Sequence, residues 1–460
     1  MTLRVADLPG PRGLPILGNA LQFERSRMHL VAEEWSRKYG ECFRFRIGPR
    51  QIVALANPET IAALLRERPD GFRRTERLGA IADEMGFNGV FSAEGDAWRR
   101  QRPMVMASFD PKHIKTYFPA LVKVTRRFER RWQRATAAGA AIDLQADLMR
   151  YTVDVTAGLA FGSDINTLES DEEVIQTHLD KVFPSLFKRM VALFPLWRWF
   201  KDRTLQAHLD ALQRAVGDFI SQARRRMEAN PRLREQPTNL IEAMIAARDN
   251  PDSGLTDSDV AGNVLTMLLA GEDTTANTLA WMTYLLYRHP DVLDKARAEV
   301  ASKNLERYQD LAALPFVEAC INETMRLKPV APILMLQPRR DTVVAGIELP
   351  KGTLLMCLMR AGAIDERRFA DAAAFDPGRW FSGTSAASSK RVSMPFGAGP
   401  RLCPGRYLAM LEMKMVTAML LSAFEIESVR TPDGGEAREH LAFTMYPVGL
   451  QLRLKAKATA

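Results

Sequence analysis

Cys403 stands in the stretch Pro395-Phe396-Gly397-Ala398-Gly399-Pro400-Arg401-Leu402-Cys403-Pro404-Gly405. Glycine at this density permits tight turns and close approach of the backbone to a flat ligand. An amphipathic helix is expected from about Gly405 to Ala423, with Pro404 in its first turn, where proline is tolerated. The free N–H groups and positive dipole end there favour an anionic sulfur and lower its pKa. A thiolate so placed is either a nucleophile or a metal ligand. A nucleophilic thiol wants a histidine base beside it, and none of the six histidines stands in a recognisable partner motif. Zinc wants further Cys or His ligands at short spacing, whereas Cys42, Cys320 and Cys357 are far apart. A buried cysteine in a glycine-rich loop is the plain alternative.

A second locus is Ala270-Gly271-Glu272-Asp273-Thr274-Thr275. It interrupts a helical stretch from Asp259 to about His289 that is apolar nearly all round, and such a helix is buried. A carboxylic acid and a hydroxyl side by side suit proton delivery. The competing reading has Thr274 bonding back to a carbonyl one turn earlier. Trp98 and Arg102 stand four apart, on one helical face, and their indole and guanidinium suit a carboxylate. Taken alone they read as a basic solvated turn beside a core tryptophan. Glu323 and Arg326 stack at i and i+3, which in isolation reads as a surface ion pair of little worth.

These loci need elements to hold them. Helical periodicity dominates from about residue 110 to 330, with Leu205, Leu209, Leu212, Val216, Phe219 and Ile220 on one face. Asn250-Pro251-Asp252-Ser253-Gly254 breaks it, and Thr256 with Asp259 starts the long helix with a capping box. Cys42 to Ile47 and Gln51 to Ala56 read as a hairpin about Gly48-Pro49. Beyond residue 330 short strands and turns take over, as at Thr342 to Leu349. Residues 1–20, rich in Pro and Gly, read as a stiff extended lead-in. With no repeat or long linker, residues 1–460 are expected to form a single domain, although the length alone would suit two or three.

The net charge of +8 admits an acidic partner, but the basic residues are dispersed and no nucleic-acid module is present. No uncharged run reaches the roughly 18 residues of a membrane span, and no signal peptide opens the chain. The cysteines show no disulfide spacing. A reduced, cytoplasmic setting is expected, with no transmembrane anchor and a monomeric state.

The cysteine stretch resembles the haem-binding loop of the cytochrome P-450 superfamily: Phe, two residues, Gly, one residue, Arg, one residue, Cys, one residue, Gly, matched by Phe396, Gly399, Arg401, Cys403 and Gly405. Thiolate ligation of haem iron is that family's mark. Glu323-Thr324-Met325-Arg326 resembles its Glu-x-x-Arg, and Phe375-Asp376-Pro377-Gly378-Arg379-Trp380 the segment that brings a second arginine to the glutamate. Ala270 to Thr274 resembles its oxygen-binding stretch, and Tyr287-Arg288-His289-Pro290 the segment after its central helix. The resemblance implies a mainly α fold with a smaller β-rich region, haem b (iron protoporphyrin IX) lying between the long helix and the cysteine loop. It implies Cys403 as iron ligand, Phe396 beside the sulfur, and Arg401, Trp98 and Arg102 on the propionates. Gly271 would leave room for dioxygen, Asp273 and Thr274 would manage protons, and Glu323, Arg326 and Arg379 would form a structural triad. An arginine before Asp341, another propionate contact in many members, is not clearly matched by Arg339 or Arg340.

The implied activity is that of a soluble, bacterial-type, stand-alone haem-thiolate monooxygenase, which hydroxylates or epoxidises an apolar substrate with O2. Without a flavin or nicotinamide fingerprint, electrons must come from a separate ferredoxin, flavodoxin or reductase, to which Arg99, Arg100, Lys390, Arg391 and Lys414 would offer a basic face. The regions expected to line the substrate pocket, 73–95, 331–337 and 442–447, are largely apolar, as at Ile333-Leu334-Met335-Leu336 and Phe443. Segment 183–200, with Phe183, Phe187, Phe194, Trp197, Trp199 and Phe200 amid Lys188, Arg189 and Arg198, reads equally as an apolar entrance or as ordinary helix packing. The rivals are a peroxide-driven peroxygenase or decarboxylase of the same fold, and a non-enzymatic haem sensor.

Overall fold

The computed structural model describes residues 2–109, 111–170, 175–192, 195–199, 202–381 and 383–457. A helix of 32 residues, Asp257–Arg288, runs through the middle of the molecule. Its start is the expected capping box: the Thr256 hydroxyl accepts from the Asp259 N–H, and the Thr256 N–H donates to the Asp259 carboxylate. The helix is buried on nearly every side because its neighbours enclose it: Leu144–Phe161 packs along it, and Arg203–Ala229, Pro315–Leu327 and Arg406–Ala423 complete the sleeve. It is helical without a break through 270–275, so the polar residues there do not interrupt it. Asp273 is held sideways by the Thr444 hydroxyl, and Thr274 bonds back along the helix to Ala270 O.

On Arg203–Ala229 the apolar face faces the core at Leu205, Leu209, Leu212, Val216 and Phe219, while Ile220 is half-buried. The helix after the cysteine runs Arg406–Ala423 with Gly405 as N-cap. Pro404 therefore lies outside it rather than in the first turn.

The strands lie to one side. A five-stranded sheet has the order Cys42–Ile47, Arg50–Leu55, Leu354–Leu358, Ile333–Pro338, Phe72–Arg74. Its first pair is the expected hairpin, with Cys42 opposite Leu55 and the second strand one residue earlier than the alternation suggested. Three smaller sheets follow. In one, Leu3–Arg4 pairs parallel with Ile347–Glu348, beside the antiparallel Thr342–Val344. The lead-in is thus folded onto the body: Gly18 bridges to Leu14 and to Ile47, because backbone amides near a sheet edge find partners there. A buried ionic cluster ties the N-terminal helix Met28–Tyr39 to the chain's last quarter. Arg360 meets Glu33 and Glu439 at 2.8 Å each, and His29 Nε2 lies 2.8 Å from Glu439.

Candidate active site

A cavity of about 340 Å³ lies between the middle of the long helix and the cysteine loop. Cys403, Arg401, Phe396, Trp98, Arg102, Gly271 and Thr274 all line it. The loop reaches it by a tight turn in which the Cys403 N–H donates to Phe396 O at 3.0 Å. Gly399, at φ +68°, packs so closely on Leu65 O (2.5 Å from a built Cβ) that no side chain fits.

The expected lowering of the Cys403 pKa is corrected. Burial pushes this thiol up, and the Gly405 N–H, Arg102 and Arg406 offset that only in part. A bound cation beside the sulfur would reverse the balance, since a metal deprotonates a coordinating thiol outright.

At one end of the cavity four arginines converge. Arg102 donates to Leu402 O, and Arg401 donates to Ala93 O at 2.7 Å and pairs with Glu94 at 2.7 Å. Trp98 lies beneath both, 4.9 Å from the Arg401 guanidinium and 6.0 Å from that of Arg102. Arg68 and Arg74 also line the wall. Buried nitrogens of this group have no hydrogen-bond partner among the described residues: Arg68 Nε and Nη2, Arg74 Nε and Arg401 Nε. Burial lowers all four guanidinium pKa values, that of Arg401 to about 10. Buried cations without partners are costly, so this end is built for a ligand bearing more than one carboxylate. A thiol on the wall of a largely apolar cavity, with unpartnered guanidinium nitrogens beside it, fits haem and its two propionates. Arg68 and Arg74 went unread in the sequence because the run Arg66 to Arg74 looks like a solvated charged face. Arg339 and Arg340 are both exposed.

Across the cavity, Thr274 Oγ1 donates to Ala270 O at 2.9 Å, the back-bonded form. Asp273 does not line the cavity. Its carboxylate accepts from Asn277 Nδ2 at 2.6 Å and from the Thr444 hydroxyl. At Gly271 an added Cβ would clash with Thr156 Oγ1 and lie 2.9 Å from its Cγ2, so the missing side chain lets Leu144–Phe161 approach the long helix. Thr156 lines the cavity and its hydroxyl is buried without a partner among the described residues. Glu412 lines it too, and burial drives its carboxyl well above the usual pKa. A lone acid in the apolar run Leu411 to Met413 was its sequence signal.

Behind the cysteine loop, Arg326 Nη2 and Nε donate to the two Glu323 oxygens at 2.8 Å each, and Arg379 Nε reaches Glu323 at 3.3 Å. Trp380 Nε1 donates to the same carboxylate at 3.0 Å. Arg326 also donates to Ala372 O at 2.7 Å and Ala374 O at 3.0 Å. The pair is fully buried, not a surface salt bridge, and its spare donors fasten the segment 363–374.

The cytochrome P450 family profile matches residues 8–454. The chain belongs to the cytochrome P450 family. Among curated P450 relatives, pentalenene oxygenase of Streptomyces avermitilis is 27% identical, covering 97% of each chain. Cytochrome P450 3A6 of Oryctolagus cuniculus is 24% identical over 91% of this chain and 86% of its own. The crystal structure of the cytochrome P450DA heme domain superimposes with a TM-score of 0.85, at 23% identity and 98% coverage of both chains. This P450 is therefore a haem-thiolate monooxygenase, mainly α with a smaller β part, which acts on a substrate with O2 and electrons from a redox partner.

The P450 pocket's further lining is partly as expected. Val90 and Phe91 come from 73–95, and Ala331 and Leu334 from 331–337. Phe443 stands behind Phe91 at 5.8 Å. In segment 183–200, Phe183 and Phe187 pack half-buried against the core, Trp197 donates to Glu84 at 2.9 Å, and Trp199 is 77% exposed. Phe194 and Phe200 lie outside the described residues. Of the proposed docking residues, Arg100, Lys390 and Arg391 are exposed, and Arg99 pairs with Asp70 and Asp96. Lys414 is corrected: it is buried, and paired with Glu318 at 2.5 Å. No described helix is long and apolar enough to cross a membrane.

Proposed function

We propose that the protein hydroxylates or epoxidises an apolar organic substrate on haem b, as a single domain over residues 1–460. Electrons come from a separate ferredoxin, flavodoxin or reductase. The observation that carries this is an apolar cavity with the Cys403 thiol, the Thr274 hydroxyl and unpartnered guanidinium nitrogens on its wall. When bound, haem supplies the oxygen chemistry, inserting one atom of O2 into the substrate while the other leaves as water. Cys403 would supply the iron's sulfur ligand, Arg68, Arg74, Arg102 and Arg401 would hold the carboxylates, and Phe396 would close the space beside the sulfur. Thr274 turns its hydroxyl proton from Ala270 O toward the cavity. Asp273, whose carboxylate accepts from Asn277 and Thr444, takes up a proton from solvent once one of those hydrogen bonds yields and passes it to Thr274. Four free cysteines agree with a reducing, cytoplasmic setting, and we take the working form to be a monomer.

The test is a carbon-monoxide difference spectrum of the reduced protein, followed by product analysis with labelled O2. A thiolate-type band that vanishes in Cys403→Ala is expected; a band unchanged by that substitution refutes the ligand. The engagement of Asp273 away from the cavity favours one second reading, peroxide-driven turnover. Comparing rates with peroxide and with O2 plus electrons separates the two. A haem sensor would bind carbon monoxide and oxidise nothing.

A further inference from the structure

Arg74 faces two ways. On one side its Nε is buried without a partner on the wall of the cavity. On the other its guanidinium carbon lies 3.8 Å from the centroid of the Phe91 ring, the shortest such stacking in the described residues. Phe91 lines the same cavity. Its backbone is fixed independently, since the Val90 N–H donates to Asn263 Oδ1 at 2.8 Å and Ser92 Oγ donates to Gly89 O at 3.3 Å. Gly89 sits tight on the long helix, where an added Cβ would clash with Thr266 Oγ1 and lie 2.7 Å from Gly262 O. What remains free is the torsion of the Phe91 ring, and the guanidinium plate limits it. From Phe91 the contact continues edge-to-face to Phe443 at 5.8 Å and then, stacked, to Phe183 at 5.2 Å, on the helix Ile175–Val191.

We propose that Arg74 is a positioning residue that couples cofactor to substrate. The guanidinium that pairs in its plane with a haem carboxylate also fixes, through its face, the aromatic roof Phe91–Phe443–Phe183, and so sets affinity for flat apolar substrates. A planar guanidinium can do both at once, whereas an ammonium is a point charge that cannot. Stacking of a desolvated cation on an aromatic face is of the right strength to hold a ring torsion. This rests on the haem-thiolate reading, and the experiment keeps the two apart.

Arg74→Lys retains the charge for the carboxylate and removes the plate. The holoenzyme is titrated spectroscopically with two iron ligands: imidazole, a single small ring, and 4-phenylimidazole, which adds a flat phenyl ring to it. In Arg74→Lys, read per haem bound, the expected result is a 4-phenylimidazole affinity that falls about fivefold relative to that of imidazole, a change on the order of 1 kcal/mol. In a Phe91→Leu background the same substitution should have no further effect on 4-phenylimidazole. Equal effects on both ligands, no effect on either, or a loss that persists in the Phe91→Leu background each overturn the proposal. Should Arg74→Lys fail to hold haem, reciprocity decides instead. In the parent, bound 4-phenylimidazole must slow transfer of haem to an acceptor protein, and in Phe91→Leu it must slow it less; equal slowing in both overturns the coupling. A parent protein without a thiolate-type carbon-monoxide band would refute the haem-thiolate reading and not this coupling.

Discussion

At the scale of single residues, Glu412 is the group most out of place. It is 2% exposed, lines the apolar wall, and burial alone drives its carboxyl far above the ordinary range. The folded protein therefore holds a proton that the unfolded chain releases above about pH 4.3. A raised carboxyl stabilises fully below that pH, and the benefit is lost as pH rises toward the folded value. Glu412→Gln, which cannot ionise, should match the parent near pH 4.5 and unfold roughly 1–3 °C higher at pH 8. Thermal unfolding across that range is the check, and a deficit that grows with pH would contradict it. Cys403 was legible from its loop and the Glu323–Arg326 pair from its spacing. Arg68, Arg74 and Thr156 were not, because one-dimensional order does not say which way a side chain on a turn or a buried helix points.

At the scale of elements, the contact between Leu144–Phe161 and the long helix depends on Gly271. Gly271→Ala should cost about 1–3 kcal/mol through overpacking against Thr156, despite alanine's better helix propensity. Thr156→Ala in the same chain should recover part of that loss, giving a coupling of about 0.5–3 kcal/mol in a double-mutant cycle. Denaturant unfolding of the four proteins measures it, and strict additivity would show that the helices do not meet there. The elements themselves were readable where a period or cap marks them: the capping box at Thr256, the apolar face from Leu205, the hairpin from Cys42. The folded lead-in was not, because its pairing with Ile347 and Glu348 joins segments about 340 residues apart and leaves no local pattern. Likewise the unbroken helix at 270–275 follows from lateral partners such as Thr444 for Asp273, which proximity in the sequence does not reveal.

For the whole molecule, the net charge of +8 suits an acidic electron donor. With Lys414 buried, the accessible basic set reduces to Arg100, Lys390 and Arg391, joined by Arg99 where its ion pairs open. Replacing Arg100, Lys390 and Arg391 by Glu should slow reduction by an acidic ferredoxin or flavodoxin several-fold at low salt. The effect should shrink at high salt, because exposed charges are screened beyond a Debye length. Stopped-flow reduction kinetics at two ionic strengths decide it, and equal rates in parent and variant would remove this face from consideration.

The cavity draws the guanidiniums of Arg68, Arg74 and Arg102 from one stretch of the sequence, and that of Arg401 with the sulfur of Cys403 from another some 300 residues on. On a ribosome, then, three of the four guanidiniums emerge some 300 residues before Arg401 and Cys403. On the ligand reading proposed above, haem capture waits for residue 403. Nascent chains halted before it should emerge colourless however well their early helices have formed.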